Sequence, residues 1–131
     1  MKLGPSTSDP AAESSTLTLE PGAVTLTQLR AVAEGGLTLA LAPGARAELA
    51  RAQQVVGDIL ARGRVVYGIN TGFGKLAQTV IAPDRLAELQ RNLVLSHAVG
   101  TGAALPAAVV RLVLATKAVS LARGHSGVRP E

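Results

Sequence analysis

Residues 106–123 read PAAVVRLVLATKAVSLAR, and in them Val109, Val110, Leu112, Val113, Leu114, Ala118, Val119 and Leu121 fall at helical spacing and point in nearly every direction. A helix that is apolar all round has to be buried on most of its sides. Within 131 residues that demand is hard to meet, so the helix implies cover from more of the same chain or from other subunits, which makes the chain a homo-oligomer subunit or a piece of a larger domain. Composition agrees, because the 47% apolar share is almost entirely Ala, Val and Leu while aromatics make up 2%. Such residues suit helices packed on helices with few large anchors, and the fold class expected is mainly α.

Several function classes drop out early. With no cysteine there are no disulfides, thiolate zinc sites or cysteine nucleophiles, and the cytoplasm is the simplest location. The net charge of +4 comes from arginines scattered among acids (Arg46 with Glu48, Asp84 with Arg85, Glu88 with Arg91), without the basic run or aromatic platform that nucleic-acid binding needs. Arg111, Lys117 and Arg123 interrupt the apolar stretches well short of the roughly 20 residues of a membrane span. Residues 1–15, rich in Ser, Thr, Pro and Ala and lacking the apolar centre of a signal peptide, read as a disordered leader, which leaves 16–131 as one domain.

Along that domain, LTLEPG at 17–22 alternates apolar and polar residues into a Pro-Gly turn and reads as a short strand. Leu26, Leu29, Val32 and Ala33 form a helical stripe, with Thr25 or Thr27 as its cap and Gly35-Gly36 as its stop. LTLAL at 37–41 is a second strand, and its natural partner is the first. Pro43 then stands at the start of a helix of about five turns, striped by Leu49, Ala52, Val56, Ile59 and Leu60 and closed by Gly63. After a loop, Pro83-Asp84 opens a helix with Leu86, Leu89, Leu93 and His97 on one apolar face, ending near Gly100 and Gly102.

The loop between these helices, VVYGINTGFGK at 65–75, contains the only tyrosine and the only phenylalanine of the chain. It is not a Walker A motif, since Ile69 and Leu76 stand where glycine and Ser/Thr are required, and Ala77 breaks a dinucleotide fingerprint. Two readings remain open from the residues. Either Tyr67 and Phe73 fasten a turn to the core, or Gly68, Gly72 and Gly74 let the loop open and close while Tyr67 and Asn70 present a phenol and an amide to a ligand. A phenol serves as a base only when its pKa, ordinarily about 10, is lowered by positive charge or hydrogen bonds. His97 carries a similar choice between a core position and a functional one. Turn chemistry accounts for His125, Ser126 and Gly127, no Ser-His-Asp set can be argued, and two histidines with few acids give no metal spacing.

The long run YGINTGFGKLAQTVIAPDRLAELQRNLVLSHAVGTG at 67–102 resembles the N-terminal part of the aromatic amino-acid ammonia-lyases and aminomutases, and among them the histidine ammonia-lyases. The similarity extends upstream through LTLEPGAVTLTQLRAVA and downstream through RGHSGVRPE. It implies a helical, cytoplasmic, tetrameric enzyme that converts L-histidine to trans-urocanate and ammonia. By the same resemblance Tyr67 is the base that removes a β-proton, His97 contributes to the substrate pocket, and the Ser96-His97 pair favours histidine over phenylalanine or tyrosine as substrate. Fragments of a phenylalanine or tyrosine lyase, of an aminomutase, or a non-catalytic module docking onto a lyase subunit are the alternatives.

The resemblance also defines a gap. The family's electrophile is a methylidene-imidazolone group formed from an internal Ala-Ser-Gly, and no Ala-Ser-Gly occurs in the 131 residues. The expectation is therefore an incomplete N-terminal domain with no cofactor of its own, inactive as a free chain. Val119 stands where the family usually carries asparagine, which bears on the polar contacts around it.

Overall fold

The computed structural model describes residues 15–131, so the expected leader lies outside the described residues except for Ser15. The elements are β1 (Thr16–Leu19), α1 (Leu26–Glu34), β2 (Thr38–Leu41), α2 (Gly44–Ala61), α3 (Leu86–His97) and α4 (Ala107–Leu121), with single 3-10 turns at Gly74–Leu76 and Pro83–Arg85. The mainly α class with two short strands is what the sequence implied.

The strands pair with each other in parallel, Thr16 opposite Thr38 through Leu19 opposite Leu41. Parallel neighbours need a crossover, and α1 supplies it. The alternation of β1 turns Leu17 and Leu19 inward while Thr16 and Thr18 stay exposed. Leu19 then meets Val32 of α1 and Ala115 of α4 in a small core, flanked by Leu17, Val24, Leu112 and Val119. Val119 thus lies half-buried against aliphatic neighbours, which is a sufficient reason for an apolar residue there.

Local chemistry explains where the helices begin and end. Of the two threonines proposed to cap α1, Thr25 does so, in a reciprocal box: Gln28 N donates to Thr25 Oγ1 at 3.2 Å and Thr25 N donates to Gln28 Oε1 at 2.8 Å. Gly35, at φ +87°, ends it. Arg111 of α4 closes that end, donating from Nε to Val32 O at 3.1 Å and from Nη2 to Ala33 O. A residue that the sequence showed only as a break in an apolar run is thus the polar link between α1 and α4.

α2 has the five turns expected, starting one residue after Pro43, with Ala45 and Leu49 buried. The chain after α4 crosses it closely. A Cβ on Gly124 would lie 2.7 Å from Glu48 O, and one on Gly127 would lie 2.4 Å from a Val56 methyl. Turn chemistry alone undervalued these glycines, because close approach to α2 also requires them. α3 stops at His97, before the two glycines expected to end it. There, Ser96 Oγ and His97 Nδ1 both fold back on Leu93 O, at 3.0 and 2.8 Å.

α4 is packed on one side only. Its Ala115 is buried, but Val109, Val110, Val113 and Leu114 are exposed among the described residues. An apolar groove of about 320 Å³ borders it, between Val32, Leu37, Leu39 and Leu114. No helix among the described residues is long and apolar enough to cross a membrane.

Candidate active-site loop

The loop after α2 is organised by hydrogen bonds rather than by burial of its aromatics. Ile69 N donates to Val66 O at 3.1 Å, closing a turn in which Tyr67 holds the second position and Gly68 the third, at φ +80°. A positive φ at the third position is what a type II turn needs, and glycine meets it without strain. The base of the loop is closed by an antiparallel bridge between Thr71 and Val80, with Gly72 N donating to Thr79 O and Ile81 N donating to Asn70 O.

Each loop glycine has its own geometric reason. Gly68 and Gly74 have positive φ, +80° and +56°, with open space where a Cβ would go. Gly72 is buried and has no such φ; a Cβ there would sit 2.6 Å from Leu76 Cβ and 2.7 Å from Leu76 O. Two of the three therefore permit a conformation, and the third permits a contact.

Asn70 does not present its amide to solvent. Its Oδ1 accepts from Val66 N at 2.8 Å and its Nδ2 donates to Arg64 O at 2.8 Å, and the residue is 7% exposed. Thr71, 1% exposed, accepts from Gly68 N at 3.4 Å and donates to Gly72 O at 2.9 Å. Sequence reasoning passed over Thr71; a small β-branched hydroxyl residue between Asn70 and Gly72 was the available signal.

Tyr67 stands outside this network, 64% exposed, its ring meeting Phe73 edge to face at a centroid distance of 5.9 Å. Phe73 is half-buried and Tyr67 projects, so the loop does not fasten both aromatics to the core. His97 lies at the end of α3. The stripe of Leu86, Leu89 and Leu93 beneath it is half-buried, but His97 itself is exposed, so the apolar face does not enclose it. Nδ1 lies 2.8 Å from Leu93 O and 3.1 Å from Ser96 Oγ, which leaves Nε2 outside these contacts. No hydrogen bond or ring contact joins His97 to Tyr67 among the described residues.

This fold and loop belong to a known family. The family model for aromatic amino acid lyases matches residues 24–131, and the chain is a member of that family. Among its relatives, the histidine ammonia-lyase of Paracidovorax citrulli is 69% identical over 115 residues, which covers 88% of this chain and 22% of that enzyme. Of solved structures, histidine ammonia-lyase from Trypanosoma cruzi superposes with a TM-score of 0.77 at 36% identity, covering 88% of this chain and 22% of the other. Ergothionase from Treponema denticola gives 0.82 at 28%, covering 88% and 23%. The chain thus spans between a fifth and a quarter of the length of these proteins.

Proposed function

We propose that this chain is the N-terminal part of a histidine ammonia-lyase, which in the complete enzyme eliminates ammonia from L-histidine to give trans-urocanate. The observation that carries the reading is the 69% identity to the Paracidovorax citrulli enzyme across 88% of this chain. Tyr67 is the base that takes the β-proton. A β-proton of an amino acid is weakly acidic, so the chemistry needs a base set against an electrophile that activates the amine. His97 contributes Nε2 to the substrate pocket, and the glycine loop covers the substrate and excludes water.

The electrophile does not come from these residues. The methylidene-imidazolone group requires Ala-Ser-Gly, whereas the nearest sequence is His125-Ser126-Gly127, whose glycine is pressed on Val56. The residues present do not fit the group. Tyr67 is also open to water here, so the free chain is inactive. Activity requires the remaining lyase helices or further subunits, which cover the bare side of α4, and the enzyme is cytoplasmic.

The test is a chimera in which the 115 aligned residues of this chain replace their counterparts in the Paracidovorax citrulli enzyme. Given L-histidine, L-phenylalanine or L-tyrosine, it is expected to turn over histidine and release urocanate. The free chain is expected to release none. A preference for phenylalanine or tyrosine would overturn the substrate assignment, and urocanate from the free chain would overturn the inactivity.

A further inference from the structure

The buried polar side chains among the described residues are Asn70 and Thr71, and no buried side-chain nitrogen or oxygen among those residues lacks a partner. Both lie within four residues of Tyr67, and both are used on the backbone immediately beside it. Asn70 holds the preceding residue, Val66, through its amide N–H and reaches back to Arg64 O. Thr71 accepts from the amide N–H of the following residue, Gly68, and ties that contact to Gly72 O. Among the described residues, the Tyr67 ring meets Phe73 in a T-shaped contact. A phenol that is 64% exposed and held by one ring contact takes its direction largely from the backbone that bears it.

We propose that Asn70 and Thr71 are positioning residues that grip the Tyr67 turn from its two sides, so that residues 66–72 move as one body and present the phenol in a fixed direction. Buried, fully satisfied polar networks specify one backbone arrangement in this way, because breaking one bond leaves a buried group unpaired. The value of this orientation for catalysis rests on Tyr67 being the base; the orientation itself does not. The glycines then supply the turn's shape, and any opening of the loop carries the turn intact.

The chain provides its own probe. It has one tyrosine and no tryptophan, so tyrosine fluorescence anisotropy and the near-ultraviolet circular dichroism of the tyrosine band report Tyr67 alone. In Thr71→Val, which keeps the shape and loses the hydroxyl, and in Asn70→Ala, anisotropy is expected to fall toward that of the urea-unfolded chain while the far-ultraviolet helix signal is retained. Thr71→Ser, which keeps the oxygen, is expected to restore it. Should Asn70→Ala lose its helix signal, the Thr71→Val and Thr71→Ser pair decides. Wild-type anisotropy in Thr71→Val, or equal loss in Thr71→Ser, overturns the proposal. Retained turnover after Tyr67→Phe in the chimera would refute the base while leaving these readings unchanged.

Discussion

Replacing Gly124 with alanine tests the packing of the segment after α4 on α2. Gly124 has φ +73°, where an L side chain costs about 1–2 kcal/mol. Its new Cβ would lie 2.7 Å from Glu48 O and 2.9 Å from Glu48 C, backbone atoms inside α2 that no rotamer change can move. Overpacking of this kind adds about 1–3 kcal/mol, so the total is roughly 2–5 kcal/mol. Gly57 is the internal control. It lies in the interior of α2 with nothing within 4 Å of a Cβ, and alanine there removes a helix penalty of roughly 0.5–1 kcal/mol. Urea unfolding followed by far-ultraviolet circular dichroism reads both as midpoint shifts at constant slope. The expected signs are opposite, Gly124→Ala falling and Gly57→Ala rising. A Gly124→Ala loss no larger than about 1–2 kcal/mol would refute the close approach, since the backbone conformation alone accounts for that much.

Three further outcomes follow from the same contacts. Arg111→Ala removes both guanidinium bonds at the end of α1 and should cost about 1.5–3 kcal/mol by the same unfolding assay, with Arg111→Lys failing to restore it because an ammonium lacks the planar fork. Thr25→Ala opens the capping box and should cost about 1 kcal/mol, with amide exchange accelerated at Gln28. Glu88 is held below the usual carboxylate range, first by its hydrogen bond from Arg85 and then by that residue's charge. A depressed carboxyl stabilises the fold above its unfolded pKa and loses that contribution as pH falls through the folded value. The Glu88 carboxyl carbon should therefore titrate below its ordinary pH in an NMR series, and Arg85→Gln should return it.

What could be read from the sequence was local. Thr25 or Thr27, Gly35 and Pro43 each signal a terminus within a few residues, and the five-turn α2 follows from the spacing of Leu49, Val56 and Ile59. The pairing of the two strands was also readable, and with only α1 between them the parallel sense follows from the crossover. What escaped depends on residues far apart in the chain. Gly124 and Gly127 look like turn glycines until Glu48 and Val56 are seen beside them. Arg111 looks like an interruption until it meets carbonyls 78 and 79 positions away. In the loop, the residues left open whether Tyr67 packs on the core or projects, and its ring is exposed. The sequence offered Asn70 as a ligand donor, whereas its amide is taken up by Val66 and Arg64. His97 was placed on the correct stripe, but the extent of cover over that stripe depends on neighbours that spacing alone does not reveal.

Tyr67 is the residue proposed as the base of a histidine ammonia-lyase. The deciding measurement is kcat for L-histidine in the chimera with the Paracidovorax citrulli enzyme, with Tyr67 and with Tyr67→Phe. Phenylalanine keeps the ring and its edge contact with Phe73 and removes only the hydroxyl. A general base contributes roughly 10²–10⁴-fold, so kcat is predicted to fall by that factor at unchanged fold. A Tyr67→Phe chimera that releases urocanate within a few-fold of its parent would contradict the account.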